Sequence, residues 1–472
     1  MNFKTKELAV AIALLAVNSV SSAANVPAEK PQTMEEMWKI IQAQQQQINA
    51  MTKKLESVAE KKSAPEADVS QIERKTDVLT EELEKLRTEL VIPEKTEYKS
   101  EYGFGPAMSK IYHVQQGLSI GGYGEAFYSA KLDDKSTNPD GTLNNSNSAD
   151  LERFVLYTGY KFNDHILFNS EVEFEHATTG EGSENKGEVS VEFAALDFFI
   201  NKMANVRAGM VLMPMGFINQ IHEPPFFFGN NRPVTERYII PTTWREIGVG
   251  MFGELAPGLT YTTYAVNGLN AMEFTSNGIR DGRQGGSQAL AEDLAYVGRL
   301  DYVPDFVPGV SIGASAYLGN SGQNQTFDGV KASVFTQLYE AHVQWKYRGL
   351  EFRTLGSWGH IDDAGVLSQY QGQTVGSSNY GWYSEVGYDI VPHLFPESTQ
   401  YLAPFFRYEH VDTIASAPTG WSDDPTKDKQ IFQVGLNYKP IPNVVIKADY
   451  RNFVQKAGTA PDDFNLGLGF IF

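Results

Sequence analysis

No cysteine occurs in the 472 residues, so nothing in the stability of this chain rests on disulfides. Beyond residue 24 there is no run of about 18 apolar residues, which leaves no candidate for a membrane-crossing helix. Positive charge is scarce as well. The 39 Lys and Arg face 58 Asp and Glu, and the net charge of -19 argues against nucleic acid as a partner. The 8 His are scattered, and His222 stands beside Glu223. That spacing supports neither a zinc motif nor a histidine-based catalytic unit, and no Ser–His–acid grouping can be placed. The expectation is a protein that is not an enzyme, with no cofactor and no metal.

What is present begins with a secretory signal over 1–24. Lys4 and Lys6 form its basic end, LAVAIALLAV (8–17) its apolar stretch, and SSAA (21–24) its small residues for cleavage. Export without cysteine fits the envelope of a Gram-negative bacterium. From 25 to 98 the chain reads as a linker and a coiled-coil stalk. Met34, Ile41, Ile48 and Leu55 take one seam position, and Met37, Gln44, Met51 and Val58 the other. Val69, Thr76, Leu83 and Leu90, with Ile72, Leu79 and Leu86, continue in the same register past Pro65, which should interrupt or kink the helix. So narrow a stripe predicts self-association, and the stalk is placed in the periplasm.

Residues 99–472 alternate with period 2. In SEVEFEH (170–176), Glu171, Glu173 and Glu175 share one face, opposite Val172 and Phe174. In VVIKADYRNF (444–453), Lys447, Asp449 and Arg451 oppose Val444, Ile446, Ala448 and Tyr450. Sixteen such segments can be placed, an even number, joined alternately by short turns and by long loops rich in Asp, Asn, Ser and Gly. This predicts an all-β membrane protein, a 16-stranded antiparallel transmembrane β-barrel with apolar residues toward lipid and polar ones toward the lumen. Tyr128, Tyr157, Tyr160, Trp244, Trp345, Tyr347, Trp358, Trp382 and Tyr401 are the expected aromatic girdles. The final NLGLGFIF, ending at Phe472, reads as an amphipathic closing strand.

One stretch breaks the alternation: MPMGFINQIHEPPFFFGNNRPVTERYIIPTTWRE (213–246). A loop of about thirty residues inside a compact fold is uncommon and usually functional. Pro214, Pro224, Pro225, Pro233 and Pro241 stiffen it, and Phe226, Phe227 and Phe228 need cover from water. It is expected to fold inward and narrow a pore.

The signal, the coiled coil, the glycine-rich first strand GLSIGGYGEAFY (117–128), this third long loop and the terminal Phe472 together resemble the phosphate-selective porin O and P family. The block 206–255 carries the resemblance best. The resemblance implies trimers of sixteen-stranded barrels and an arginine-lined anion path. A similar stalk-plus-barrel plan occurs in the DcaP-like porins, which take up small anionic organic molecules, so the family does not fix a solute.

The residues expected to set selectivity follow from the faces. Arg207 and Arg245 flank the long loop, Arg232 and Arg237 lie in it, and Arg299, Arg353, Arg407 and Arg451 face the lumen with Arg153. Guanidinium stays charged and binds oxyanions bidentately. On the same faces stand Asp301, Glu351, Glu409 and Asp449, each two residues from an Arg and expected to pair with it. Glu171, Glu173 and Glu175 form an acidic column, read as a solvated wall or as a cation path or divalent-ion site. The function expected is an outer-membrane porin for passive diffusion of small hydrophilic solutes, with a possible preference for anions or phosphate. Its partners are outer-membrane lipid and further copies of itself in a homotrimer. The alternative is a barrel-and-stalk protein tethering the outer membrane to the cell wall.

Overall fold

A computed structural model describes residues 99–132, 145–179 and 187–472. The signal (1–24) and the heptad stalk (25–98) lie outside the described residues. The strands are β1 Gly117–Lys131, β2 Ser148–Lys161, β3 Ile166–Glu175, β4 Val189–Phe199, β5 Asn205–Leu212, β6 Arg245–Ala256, β7 Leu259–Asn267, β8 Leu294–Tyr302 and β9 Val310–Asn320. They continue with β10 Thr326–Phe327, β11 Val330–Lys331, β12 Phe335–Tyr347, β13 Leu350–Ile361, β14 Ser378–Tyr388, β15 Tyr401–Ser416, β16 Asp428–Ile441, β17 Val444–Gln455 and β18 Asp463–Ile471. Sixteen of them form one closed antiparallel barrel, and β10 and β11 make a small hairpin within a long connection. The sixteen-stranded expectation therefore holds.

Closure joins the two ends of the described chain. β1 pairs with β18 from Tyr123↔Ile471 to Lys131↔Asp463, and Gly122 and Phe472 exchange backbone hydrogen bonds of 3.1 and 3.0 Å. The glycines of the first strand have a packing reason. A Cβ on Gly122 would lie 2.7 Å from the Phe472 ring, and one on Gly124 would lie 2.6 Å from the Phe470 ring. The terminal aromatics lie over backbone, and only glycine leaves that room.

The outward face is apolar. Val249, Leu300, Ile312, Leu436 and Leu468 are exposed, as lipid-facing side chains of a barrel must be. Tyr128, Tyr160, Trp345, Tyr347, Trp358 and Trp382 are exposed on the same outer surface. Three expected girdle residues are not. Tyr157 shares strand parity with lumen-facing Arg153 and is buried, Trp244 is fully buried at the loop neck, and Tyr401 turns inward to donate to Glu351 Oε1.

Two long connections carry structure that alternation could not forecast: the β10–β11 hairpin and a helix, α1, over Ala364–Gln371. The segment before β1 is also ordered. Its helical turn Met108–His113 packs Met108, Ile111 and Tyr112 against β1, β2 and β4 from the lumen side. This part of the barrel domain was not separately foreseen.

Candidate pore and its inward-folded loop

The long loop leaves β5 and returns to β6 through a narrow neck. Met213 donates to Trp244 O at 2.9 Å, and Asn219 bridges the two limbs, donating to Met213 O at 2.6 Å and accepting from Trp244 N at 2.7 Å. Gly216 has φ +70, and a Cβ there would meet Glu236 Oε2 at 2.3 Å. That oxygen accepts from Ile218 N at 2.7 Å, while Glu236 Oε1 accepts from Tyr383 Oη at 2.6 Å. The loop is thus folded on itself and fastened to β14.

A proline-rich segment inside a barrel must find partners for its backbone polar groups, since buried peptide groups left unpaired cost stability. The wall supplies them. Arg299 donates to Gly216 O at 2.5 Å, Arg353 to Phe226 O at 3.0 Å, Arg407 to Phe228 O at 2.7 Å and Lys447 to Gly229 O at 2.8 Å. Acidic residues take the amides. Asp449 accepts from Asn230 N at 2.8 Å, and Glu409 from Thr235 N at 3.2 Å. Phe227 lies under the Lys447 ammonium at 3.7 Å, and Phe228 stacks on Phe405, so two of the three aromatics gain the cover they need.

The basic residues named from the sequence therefore do different work. Arg207 does not face open lumen. It is 2% exposed, forks onto Asp197 at 2.6 and 2.8 Å, and lies between the Phe104 and Phe252 rings at 4.1 and 4.6 Å. Tyr112 Oη also donates to Asp197, so the segment before β1 is pinned at the same point. Arg245 pairs with Glu192 at 2.6 Å and Arg451 with Asp463 at 2.6 Å. Arg299 pairs with Asp301, as expected of neighbours two apart. Of the other three such pairs, Arg407–Glu409 is kept only as a longer second contact, and the other two are corrected. Arg407 is held mainly by Glu385 at 2.8 Å and only distantly by Glu409 at 3.8 Å. Arg353 also faces Glu385, Glu351 pairs with Lys346, and Asp449 is taken by Asn230. The register explains this: Arg353, Glu385 and Arg407 are direct cross-strand partners on β13, β14 and β15.

The acidic column divides in the same way. Glu171 and Glu173 are buried, the first against His222 and the second against Arg153, while Glu175 stands half-buried near the loop-bearing end. Of the named cations, Arg237 is exposed, and the Arg232 Nε and Nη2 atoms have no protein partner.

Arg232 and Arg237 line a cavity of ≈ 590 Å³ at the long-loop end, with Arg280, Lys429 and Arg451 on one side and Glu125, Glu152 and Glu175 on the other. Arg280 was missed from the sequence, as was Arg283 beside it. Both come from the 269–292 connection and fold back on the loop: Arg280 donates to Arg237 O at 2.9 Å, and Arg283 Nη1 donates to Thr242 O. Burial and the surrounding guanidinium groups of Arg283, Arg237 and Arg232 push the Arg280 pKa down to about 9. Two arginines three apart in a loop otherwise rich in Gly, Asn and Ser were the available signal. A second cavity, ≈ 700 Å³, opens at the short-turn end and reaches Gln220 of the same loop. The loop thus borders both.

No family model matches the sequence. An uncharacterized protein of Aquifex aeolicus (strain VF5) is 39% identical over 401 residues, covering 82% of this chain and 87% of that protein. Among solved structures, OmpF of Salmonella typhi in complex with daunomycin aligns with a TM-score of 0.50 and 12% identity, over 76% of this chain and 98% of the other. The outer membrane channel DcaP of Acinetobacter baumannii aligns with a TM-score of 0.45 and 15% identity, over 75% of this chain and 97% of that one. What the first of these structures shares with the present chain is the barrel fold.

Proposed function

This chain belongs to the same family as the uncharacterized Aquifex aeolicus protein, and we propose that it is an outer-membrane porin for passive diffusion of small hydrophilic solutes. One observation carries the reading: a closed sixteen-stranded barrel, apolar outside and charged inside, with the long loop 214–243 folded into its lumen. A barrel of this size leaves an aqueous interior unless something fills it. Here the loop at 214–243 forms the constriction between two vestibules. The outer one has a basic side, made by Arg232, Arg237, Arg280 and Lys429, which favours anions without singling out phosphate. The resemblance to phosphate-selective porins points the same way. We place the barrel in the outer membrane, the stalk in the periplasm, and three chains in the assembly.

Planar-bilayer recording of the folded full chain in a KCl gradient tests this. Conductance in triplets with anion-selective reversal is the expected result. Cation selectivity removes the anion reading and leaves the porin. A silent barrel refutes the porin, and co-sedimentation with cell wall would then favour the tether.

A further inference from the structure

We propose that Glu171, Glu192 and His222 bind one divalent transition-metal ion, which fastens the inward loop to the barrel wall. Glu171 comes from β3, Glu192 from β4 and His222 from the loop, and one ligand atom of each lies within 4.8 Å of the others. All three are buried, at 0%, 2% and 1% exposure. Burying carboxylates is costly unless they are paired or coordinated. Yet one oxygen of each, Glu171 Oε2 and Glu192 Oε2, has no hydrogen-bond partner, and neither has the hydroxyl of fully buried Tyr123. Of the nearby cations, Arg245 holds Glu192 Oε1 and Arg153 holds Glu125 and Glu173, while Arg232, close to Glu173 and Tyr123, leaves Nε and Nη2 without a hydrogen-bond partner.

The imidazole supplies an independent observation. His222 Nδ1 lies 3.3 Å from Asn219 O, a carbonyl that can only accept, so Nδ1 carries the proton. In the neutral ring Nε2 then presents a lone pair, and it faces Glu171 Oε1 at 3.1 Å. Two acceptors hold such a distance only with a metal ion or a second ring proton between them, and the test below separates the two. A backbone carbonyl on the far ring nitrogen is also the usual device for orienting a metal-binding histidine. In a tetrahedral site with bonds of about 2.0–2.2 Å, ligand atoms stand roughly 3.3–3.6 Å apart, so small side-chain adjustments close this cluster on an ion. One nitrogen, two carboxylates and the Tyr123 hydroxyl as the fourth donor suit Zn²⁺ and its first-row neighbours. Calcium requires six to eight oxygens and is not served. Tyr123 sits edge-on to the imidazole with ring centroids 5.8 Å apart.

The consequence is mechanical. His222 precedes Glu223, whose carboxylate accepts from Ala107 N at 2.9 Å, so an ion at this point fixes the loop and, through its next residue, the segment before β1. The inference does not depend on conduction, because its test reads metal.

Full-length chain is folded into detergent from urea with Zn²⁺ or with chelator, desalted, and assayed by elemental analysis. About one Zn²⁺ per chain is expected, and folding with Co²⁺ instead should give the visible bands of a tetrahedral N/O site. Glu192→Gln and His222→Gln should each weaken retention at least ~10-fold while the barrel keeps its heat-modifiable gel mobility. Asp150→Asn, at a second His–carboxylate group near the mouth, should leave stoichiometry unchanged. Wild-type chain that folds without retaining Zn²⁺ or Co²⁺ overturns the proposal, whatever the variants do. So does equal retention in both Gln variants, or loss only in Asp150→Asn. In the first case the imidazole is doubly protonated and the contact is an ordinary ion pair.

Discussion

Replacing Arg207 with alanine should destabilise the barrel and leave its ion selectivity unchanged. The side chain is 2% exposed and its fork is satisfied by Asp197, itself 1% exposed. Removing one member of such a pair strands the other, a loss of about 3–5 kcal/mol. The guanidinium also fills the space between Phe104 and Phe252, and that contact adds roughly 0.5–2 kcal/mol. With a urea dependence of about 3 kcal/mol per molar, the unfolding midpoint should fall by at least ~1 M. Tryptophan fluorescence of detergent-folded protein across a urea series reads this directly. The double variant Asp197→Asn/Arg207→Met, which removes both charges, should recover most of the loss. The segment before β1 should become protease-sensitive in the single variant, because Tyr112 and Tyr102 both contact this pair. A midpoint change under ~0.3 M would refute the reasoning. So would a reversal-potential shift in Arg207→Ala as large as that caused by vestibule substitutions.

In contrast, Arg237→Ala combined with Arg280→Ala should lower the anion-to-cation permeability ratio. One unit charge at ~6 Å in water is worth about 0.7 kcal/mol, a factor of about 3 per site that shrinks at high salt. An unchanged ratio in low-salt bilayers removes both residues from the selectivity set. Glu236→Ala frees both Ile218 N and Tyr383 Oη, so single-channel current should rise and become noisier. Current identical to wild type means that the loop does not set the constriction. Finally, Val249→Arg, near the middle of β6 on the outer face, should cost about 2–4 kcal/mol if that face meets lipid. Urea titration in bilayer vesicles reads it, and a negligible cost places the face elsewhere.

Strand number and the inward loop were legible because both rest on local signals. Alternation fixes which side chains share a face, and a proline-rich interval between strands cannot join the ladder. Faces were right as well: Arg153, Arg299, Arg353, Arg407 and Arg451 all point inward. Partners were not legible. Along a strand, residues two apart are separated by roughly 6.6–7 Å, whereas direct cross-strand neighbours lie ~4.5–5.5 Å apart. Glu385 therefore captures Arg407 at 2.8 Å and approaches Arg353 at 3.5 Å. No single-strand pattern reveals register. The turn at Met108–His113 was missed for a related reason: it precedes the first alternating strand, and its apolar residues meet partners far along the chain.

The charged lumen is where the difference matters for function. A row of arginines read from sequence suggests a path for anions, since nothing in the pattern supplies other occupants. In the folded chain Arg299, Arg353, Arg407 and Lys447 each also donate to one of the loop's own carbonyls, at Gly216, Phe226, Phe228 and Gly229. A thirty-residue loop carries about as many amides and carbonyls, and each must be answered inside the barrel. Asp449 and Glu409 answer its amides with the opposite charge. The mixed sign of the wall, which by itself points to no selectivity, is what a buried peptide backbone requires, because it presents donors and acceptors alternately. On the porin proposed above, selectivity is then left to cations at the loop's outer edge, exposed Arg237 and its neighbour Arg280 among them.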